Sequence, residues 1–396
     1  MLVFLNYAAV LPLIQREWRM SSAAAGSIFS AYQVGYIFSA VLLTWLTDRY
    51  NARTIFLVSA FWSAVSNTLF ALFATDFTSA MILRTLAGFG MGGTYMPGLK
   101  LVAERFPSEL RGRAVGYYTS AFVFGAALST FLAGVIASVG GWRLAILTTA
   151  FGALAGSLIC LTVLWDLPSC SVVPATRRFA ADVVRNRPAV LMMVAYAGHM
   201  WEQYGMRGWM VAFLAANIVA AGGEGSTASA TAALLASVIV GVGGVATGLT
   251  GMLSDRIGRT STVAVVMLSS AACSFGFGWL FGAPMSLILI LGMLYSALVV
   301  AETPVLSAGL TELVSPAHLG AAMGIQTLFG FIAAAASPAV FGVILDHTNG
   351  SGPTDALASV WGWAFGSLGI GGVVGALAMW LVRRHPESLK MAGGRR

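Results

Sequence analysis

The stretch Gly251-Met-Leu-Ser-Asp255-Arg256-Ile-Gly258-Arg259 is a charged turn between two long apolar runs, and it has a twin. Thr44-Trp-Leu-Thr-Asp48-Arg49-Tyr-Asn51-Ala-Arg53 repeats its Leu-x-Asp-Arg core 207 positions upstream. Working outward, Gly112, Gly116 and Thr119 return as Gly320, Gly324 and Thr327, and Gly134-Val-Ile returns as Gly342-Val-Ile, at an offset of 208. Pro97 and Pro304 agree at 207. A near-constant offset over this much chain is the mark of an internal duplication.

The composition sets the solvent. Hydrophobic residues make up 58% of the 396, charged residues 9%, and the mean hydropathy is +0.83. A soluble globular chain carries roughly 25% charged residues, so this is a polytopic membrane protein. Long runs with Gly and Ala throughout do not follow the alternating pattern of an outer-membrane barrel. A bilayer needs ~20 apolar residues per helix, and the chain divides into twelve such runs, near 2–15, 22–46, 54–74, 77–103, 111–138, 142–165, 189–216, 229–253, 260–282, 285–311, 318–345 and 356–382. Residues 1–166 form a first six-helix half, 167–188 a cytoplasmic linker, 189–383 a second half and 384–396 a cytoplasmic tail. The first run is short, which predicts further apolar residues upstream of Met1.

The net charge of +7 comes from basic residues at the ends of the runs. Arg49 and Arg53, Lys100 to Arg113, Arg177 to Arg187, Arg256 and Arg259, and the tail from Arg383 all fall on one side, against Arg16, Arg19 and Arg143 on the other. The positive-inside rule makes the first side cytoplasmic, with both termini there, and removes any need for nucleic acid as a partner. The stretch Arg177 to Arg185 reads either as a short helix on the anionic inner leaflet or as a solvated linker. Cys160, Cys170 and Cys273 are an odd number, two of them inside apolar runs, and form no disulfide framework. Walker-type, Cys-x-x-Cys and His-Glu-x-x-His patterns are absent, so neither an enzyme, a metal site nor a cofactor is expected.

Because each half has an even number of spans, the halves are parallel repeats about an axis along the membrane normal. At this point the chain resembles the major facilitator superfamily over essentially its whole length. The family's loop signature is matched in the second half by Gly251, Leu253, Asp255, Arg256, Gly258 and Arg259. The first copy keeps Leu46, Asp48, Arg49 and Arg53 and departs at Thr44, Asn51 and Ala52. The resemblance implies an all-α fold with a central cavity, alternating access, and a cytoplasmic gate in which the aspartate meets a neighbouring helix N-terminus. It also covers Arg84-x-x-x-Gly88-x-Gly90 in span 4, whereas the Gly-Pro pair of drug/proton antiporters is replaced in span 5 by Gly125-Ala126.

Intramembrane charges are functional candidates. Arg84 is one, expected to face the cavity. In span 7, His199-x-Trp-Glu202-x-Tyr204 is similar to a pattern from a prokaryotic branch with poorly assigned substrates, and His199 and Glu202 are i,i+3 neighbours on one helical face. Glu202 beside His199 is the leading proton site. Glu302, deeper toward the cytoplasm, suits gating, packing or substrate contact. Asn6, Tyr32, Gln33, Tyr36, Tyr95, Arg207 and Gln326 complete the candidate cavity. The leading reading is proton-coupled import of a small organic anion across the inner membrane by a monomer. A proton-antiport exporter and a transporter-like sensor are the alternatives.

The fuller second signature predicts a firmer latch in that half. Asp255→Asn should therefore change transport rate more than Asp48→Asn when both are assayed in vesicles, and equal effects would remove the asymmetry.

Overall fold

Inside a bilayer the backbone finds no outside hydrogen-bond partner, so each apolar run must satisfy its own amides as a helix. The computed structural model describes residues 1–46, 50–105, 108–164, 180–315, 318–350 and 359–395, and its regular elements are helices. These are α1 (Asn6–Glu17), α2 (Ser22–Leu46), α3 (Ala52–Phe73), α4 (Phe77–Arg105), α5 (Ser108–Leu164), α6 (Ala180–Arg185), α7 (Arg187–Ala220), α8 (Gly225–Ile257), α9 (Arg259–Phe277), α10 (Met285–Ala301), α11 (Thr303–Leu313), α12 (Leu319–Asn349) and α13 (Gly362–Arg384). Seven helical stretches among the described residues are long and apolar enough to cross a membrane.

The twelve expected spans correspond to α1 to α4, the two arms of α5, α7, α8, α9, α10 with α11, α12 and α13. One boundary agrees with the sequence reading and one departs from it, each for a local reason. The long α5 turns at Gly141, between the expected spans 111–138 and 142–165, and its φ of 75° favours glycine. The tenth span breaks at Glu302, with Pro304 in the first turn of the following helix, where a missing N–H costs nothing. Of the linker, residues 180–188 are described, and Val183 of α6 packs into the second half beside Met192 and Leu313. Residues 165–179, including Arg177 and Arg178, lie outside the described residues.

The two six-helix halves meet along two related seams. In one, α2 crosses α12, and a Cβ added at Gly26 would lie 2.2 Å from the Pro338 carbonyl oxygen, while one at Gly342 would lie 2.2 Å from that of Ser22. In the other, α5 crosses α8, with a Cβ at Gly134 falling 2.3 Å from that of Ala233. Gly134 and Gly342 are the paired glycines of the repeat, so the duplicated Gly-Val-Ile is the place where each half touches the other. Apolar tails solvate a helix as well as another helix does, so helices associate in lipid through such close packing and through hydrogen bonds between them.

Further along the same helices the contact ends. Cβ atoms at Gly248 and Gly251 of α8, and at Gly320 and Gly324 of α12, would meet nothing within 4 Å among the described residues. The halves therefore converge at the end carrying Glu17 and Asp346 and separate at the end carrying Arg259. At the closed end Glu17 bonds Arg143 at 2.8 Å and the Trp142 ring nitrogen at 2.7 Å. Burial pushes the Glu17 carboxyl up, but those two donors outweigh it and hold it below the ordinary range.

The glycines allow a direct test of packing. Gly88, where a Cβ would sit 1.9 Å from the Tyr32 carbonyl oxygen, should lose about 1–3 kcal/mol as Gly88→Val by overpacking. Gly324→Val, in open space, should stay within about 0.5 kcal/mol. Thermal unfolding in detergent reads both, and similar losses would refute the assigned contacts.

Candidate functional site

Two polar nodes lie at equivalent places inside the two halves. In the first, the Asn6 amide donates to Asn67 at 3.3 Å and to Thr149 at 3.0 Å, and Arg84 donates to Asn6 at 3.3 Å. In the second, Ser274 and Ser270 donate to the two oxygens of Glu202 at 2.9 and 3.0 Å, and Tyr295 lies against Ser274. Asn67 and Ser274 are 207 apart, as are Ser63 and Ser270. The duplicated helix thus offers its partner an amide in one copy and hydroxyls in the other. Gly372 makes room for Glu202, since a Cβ there would come within 3.1 Å of the carboxylate.

Arg84 is fully buried on α4. Its guanidinium carbon lies 4.6 Å from the Tyr32 ring centroid, 5.2 Å from Tyr7 and 5.8 Å from Phe70, a set of cation–π contacts that partly replaces hydration. Among the described residues its Nε and Nη2 have no hydrogen-bond partner. Arg84 is therefore bordered by three rings of the first half. Phe4 touches Tyr32 and reaches Tyr204 of the second half at 6.1 Å.

The expected pairing of His199 with Glu202 is corrected by the structure. His199 Nδ1 lies 3.1 Å from Glu302 Oε1, and its Nε2 lies 3.0 Å from the Thr303 hydroxyl. The i,i+3 spacing puts His199 and Glu202 on one side of α7, but His199 reaches the break between α10 and α11 while Glu202 reaches α9. Both carboxylates and the imidazole are fully buried, and Glu302 Oε2 has no partner among the described residues.

The centre between the halves is aromatic. Tyr36 of α2 stacks on Phe331 of α12 at 4.0 Å between centroids, and Tyr204 meets the same Phe331 at 5.6 Å. Tyr95 packs on Phe122 at 5.2 Å, and Phe122 on Phe4 at 5.1 Å. Buried polar atoms normally find partners, so those without one mark unusual places. Besides Arg84 and Glu302 they include the Tyr32 hydroxyl, both amide atoms of Gln33, Arg207 Nε and Gln326 Oε1. Arg207 follows Tyr204 by one turn of α7, is 4% exposed and has no carboxylate partner among the described residues. Phe331, Thr303, Ser270, Ser274 and Tyr295 were missed in the sequence; the 207 offset from Ser63 and Asn67 was the available signal for the two serines.

The gate residues divide differently from expectation. Asp48 and Arg49 lie outside the described residues, and Arg53 donates to the Leu164 carbonyl at 2.9 Å. Asp255 does not cap a neighbouring helix: it pairs with Arg259 at 2.5 Å, and Arg259 also bonds Glu312 of α11 at 2.9 Å. Arg256 is exposed, Gly251 faces open space, and Gly258 has a φ of 99° suited to glycine. These contacts tie α8, α9 and α11 within the second half, as fits an end at which the halves stand apart.

The family profile described as Major Facilitator Superfamily matches residues 1–301 and 226–396. The chain is 32% identical over 133 residues to a hexuronate transporter of Bacillus subtilis, covering 33% of this chain and 31% of that protein. It is 31% identical over 159 residues to a D-galactonate transporter of Escherichia coli, covering 40% and 36%. Across five curated relatives the matches span 31% to 62% of their lengths. In fold it is similar to a bacterial homolog of the human lysosomal transporter Spinster, solved in an inward-facing and occupied conformation, with a TM-score of 0.79, 16% identity, and coverage of 97% of this chain and 94% of that one. With the profile reaching from the first residue to the last, over two halves that meet as the repeat requires, this chain belongs to the Major Facilitator Superfamily.

Proposed function

We propose that the protein is a secondary transporter that imports a small organic anion with protons by alternating access. The observation that carries the anion is the pair of buried arginines, Arg84 and Arg207, without carboxylate partners among the described residues. An intramembrane arginine costs at least ~2.5 kcal/mol on insertion scales, and an anionic ligand offsets that cost where a neutral or cationic one does not. Hexuronate and D-galactonate, named for two relatives, are both carboxylates, which supports the reading.

The coupling proton belongs to the His199–Glu302 pair. It lies at a helix break, where a change in charge is transmitted to α11, whereas Glu202 is held by two serine hydroxyls inside the half. Substrate and proton enter when the now closed end is open, the halves rock about the glycine seams, and both leave through the end at which they now stand apart. The arginine-rich end faces the cytoplasm of a bacterial inner membrane, with residues 1–166 and 189–383 as the rocking halves, 167–188 as their linker, 384–396 as a cytoplasmic tail, and one chain sufficient for transport.

Two measurements test this. In a thermal-shift screen of the purified protein, carboxylates should raise the unfolding midpoint and cationic drugs should not, and Arg84→Gln or Arg207→Gln should weaken the stabilising anion by about tenfold or more; stabilisation by cations alone would sink the anion reading. In proteoliposomes loaded with that anion, Glu302→Gln should abolish accumulation driven by a proton gradient while sparing counterflow. Unchanged accumulation would move coupling away from Glu302.

A further inference from the structure

The closed end contains a polar contact that the sequence motifs do not announce. The Asp346 carboxylate, near the last turn of α12, accepts from the Ser22 backbone N–H through Oδ1 and from the Ala23 N–H through Oδ2, each at 2.8 Å. Those amides open α2, where helix geometry leaves N–H groups without intrahelical acceptors and the helix dipole favours negative charge. The acceptor comes from the other half, so the bonds exist only while α2 and α12 are together. The ion pairs Glu17–Arg143, Arg259–Glu312 and His199–Glu302 each lie within one half.

The duplication makes the contact more telling. The equivalent of Asp346 at the 208 offset is Ser138 on α5, whose hydroxyl donates to Val135 of its own helix at 2.7 Å. At the facing end of α8, the cap residue Glu224 makes no side-chain cap bond. Both seams have the glycine contact, and one of the two has a carboxylate added to it.

We propose that Asp346 is the latch of this end, a carboxylate of the second half that caps α2 of the first and holds the seam shut. The proposal rests on the rocking of the halves in the transport reading. Opening must take both bonds from α2 and leave its first amides to water. The glycines beneath set how closely the helices approach, and the carboxylate sets how long they stay.

The test uses the full chain in nanodiscs, with Cys160, Cys170 and Cys273 replaced by serine and spin labels on Val139→Cys and Ala221→Cys, both exposed near the closed end. Pulsed dipolar spectroscopy then reads the separation of the halves. Asp346→Ala, and independently Ser22→Pro, which deletes one donor at a helix position that tolerates proline, should each raise the longer-distance population at least about fivefold, with Asp346→Asn between them and the parent. Should Asp346→Ala not fold, Asp346→Asn and Ser22→Pro carry the same test. Gly342→Leu, which drives a side chain against the Ser22 carbonyl, is the wedge control. Lengthening in the wedge without lengthening in Asp346→Ala and Ser22→Pro overturns the latch and leaves rocking intact. No lengthening in any variant means the halves do not part here, and both readings fall.

Discussion

In lipid two helices gain little hydrophobic free energy by leaving the acyl chains for each other, so the halves must be joined by close backbone contact. That constraint is met at Gly26 and Gly342 where α2 crosses α12, and at Gly134 where α5 meets α8. A side chain at any of the three would hold the helices apart. The same helices stay separate where Gly248, Gly251, Gly320 and Gly324 face open space. The seam is thus a local weld rather than a continuous interface, and the bundle closes at one end only.

Around this seam the polar groups are sorted by depth. The Asn6–Asn67–Thr149 and Glu202–Ser270–Ser274 nodes lie within the halves and hold helices of one half together, while Arg84, bonded to Asn6 through Nη1, keeps Nε and Nη2 without partners among the described residues. The partnerless atoms of Tyr32, Gln33, Arg207 and Gln326, with the Tyr36–Phe331 stack, belong to residues expected to line the cavity. His199 and Glu302 stand apart from both groups, because the break after Ala301 brings a carboxylate to the imidazole. Each half therefore keeps a fixed polar interior, while the unsatisfied groups remain available for a ligand.

Much of the architecture was legible because it follows from periodicity and solvent. Run length gave the helices, and basic turns gave a two-sided chain. The 207 to 208 offset gave two halves, and Gly134 and Gly342, read merely as matching positions, prove to be their contact points. Candidate residues were also legible, since charge and amide groups inside apolar runs are few: Arg84, His199, Glu202, Glu302 and Gln326 are all buried. Their partners were not. Helical spacing put His199 beside Glu202, but side chains three residues apart still diverge enough to reach different helices, and these two reach α11 and α9.

The sequence by itself determined that the chain spans a membrane as two duplicated six-helix halves, because backbone satisfaction in lipid leaves helices as the answer and an internal offset leaves a repeat. Only the tertiary structure decided which groups meet. It gave His199 to Glu302 and Glu202 to two serines, bordered Arg84 with three rings, and brought Asp346 onto the start of α2. The pairings of His199, Glu202 and Asp346 join residues 68 to 324 positions apart, and no local preference of the chain encodes a distance of that kind. They are set by how helices cross, which depends on where glycine lets two backbones approach.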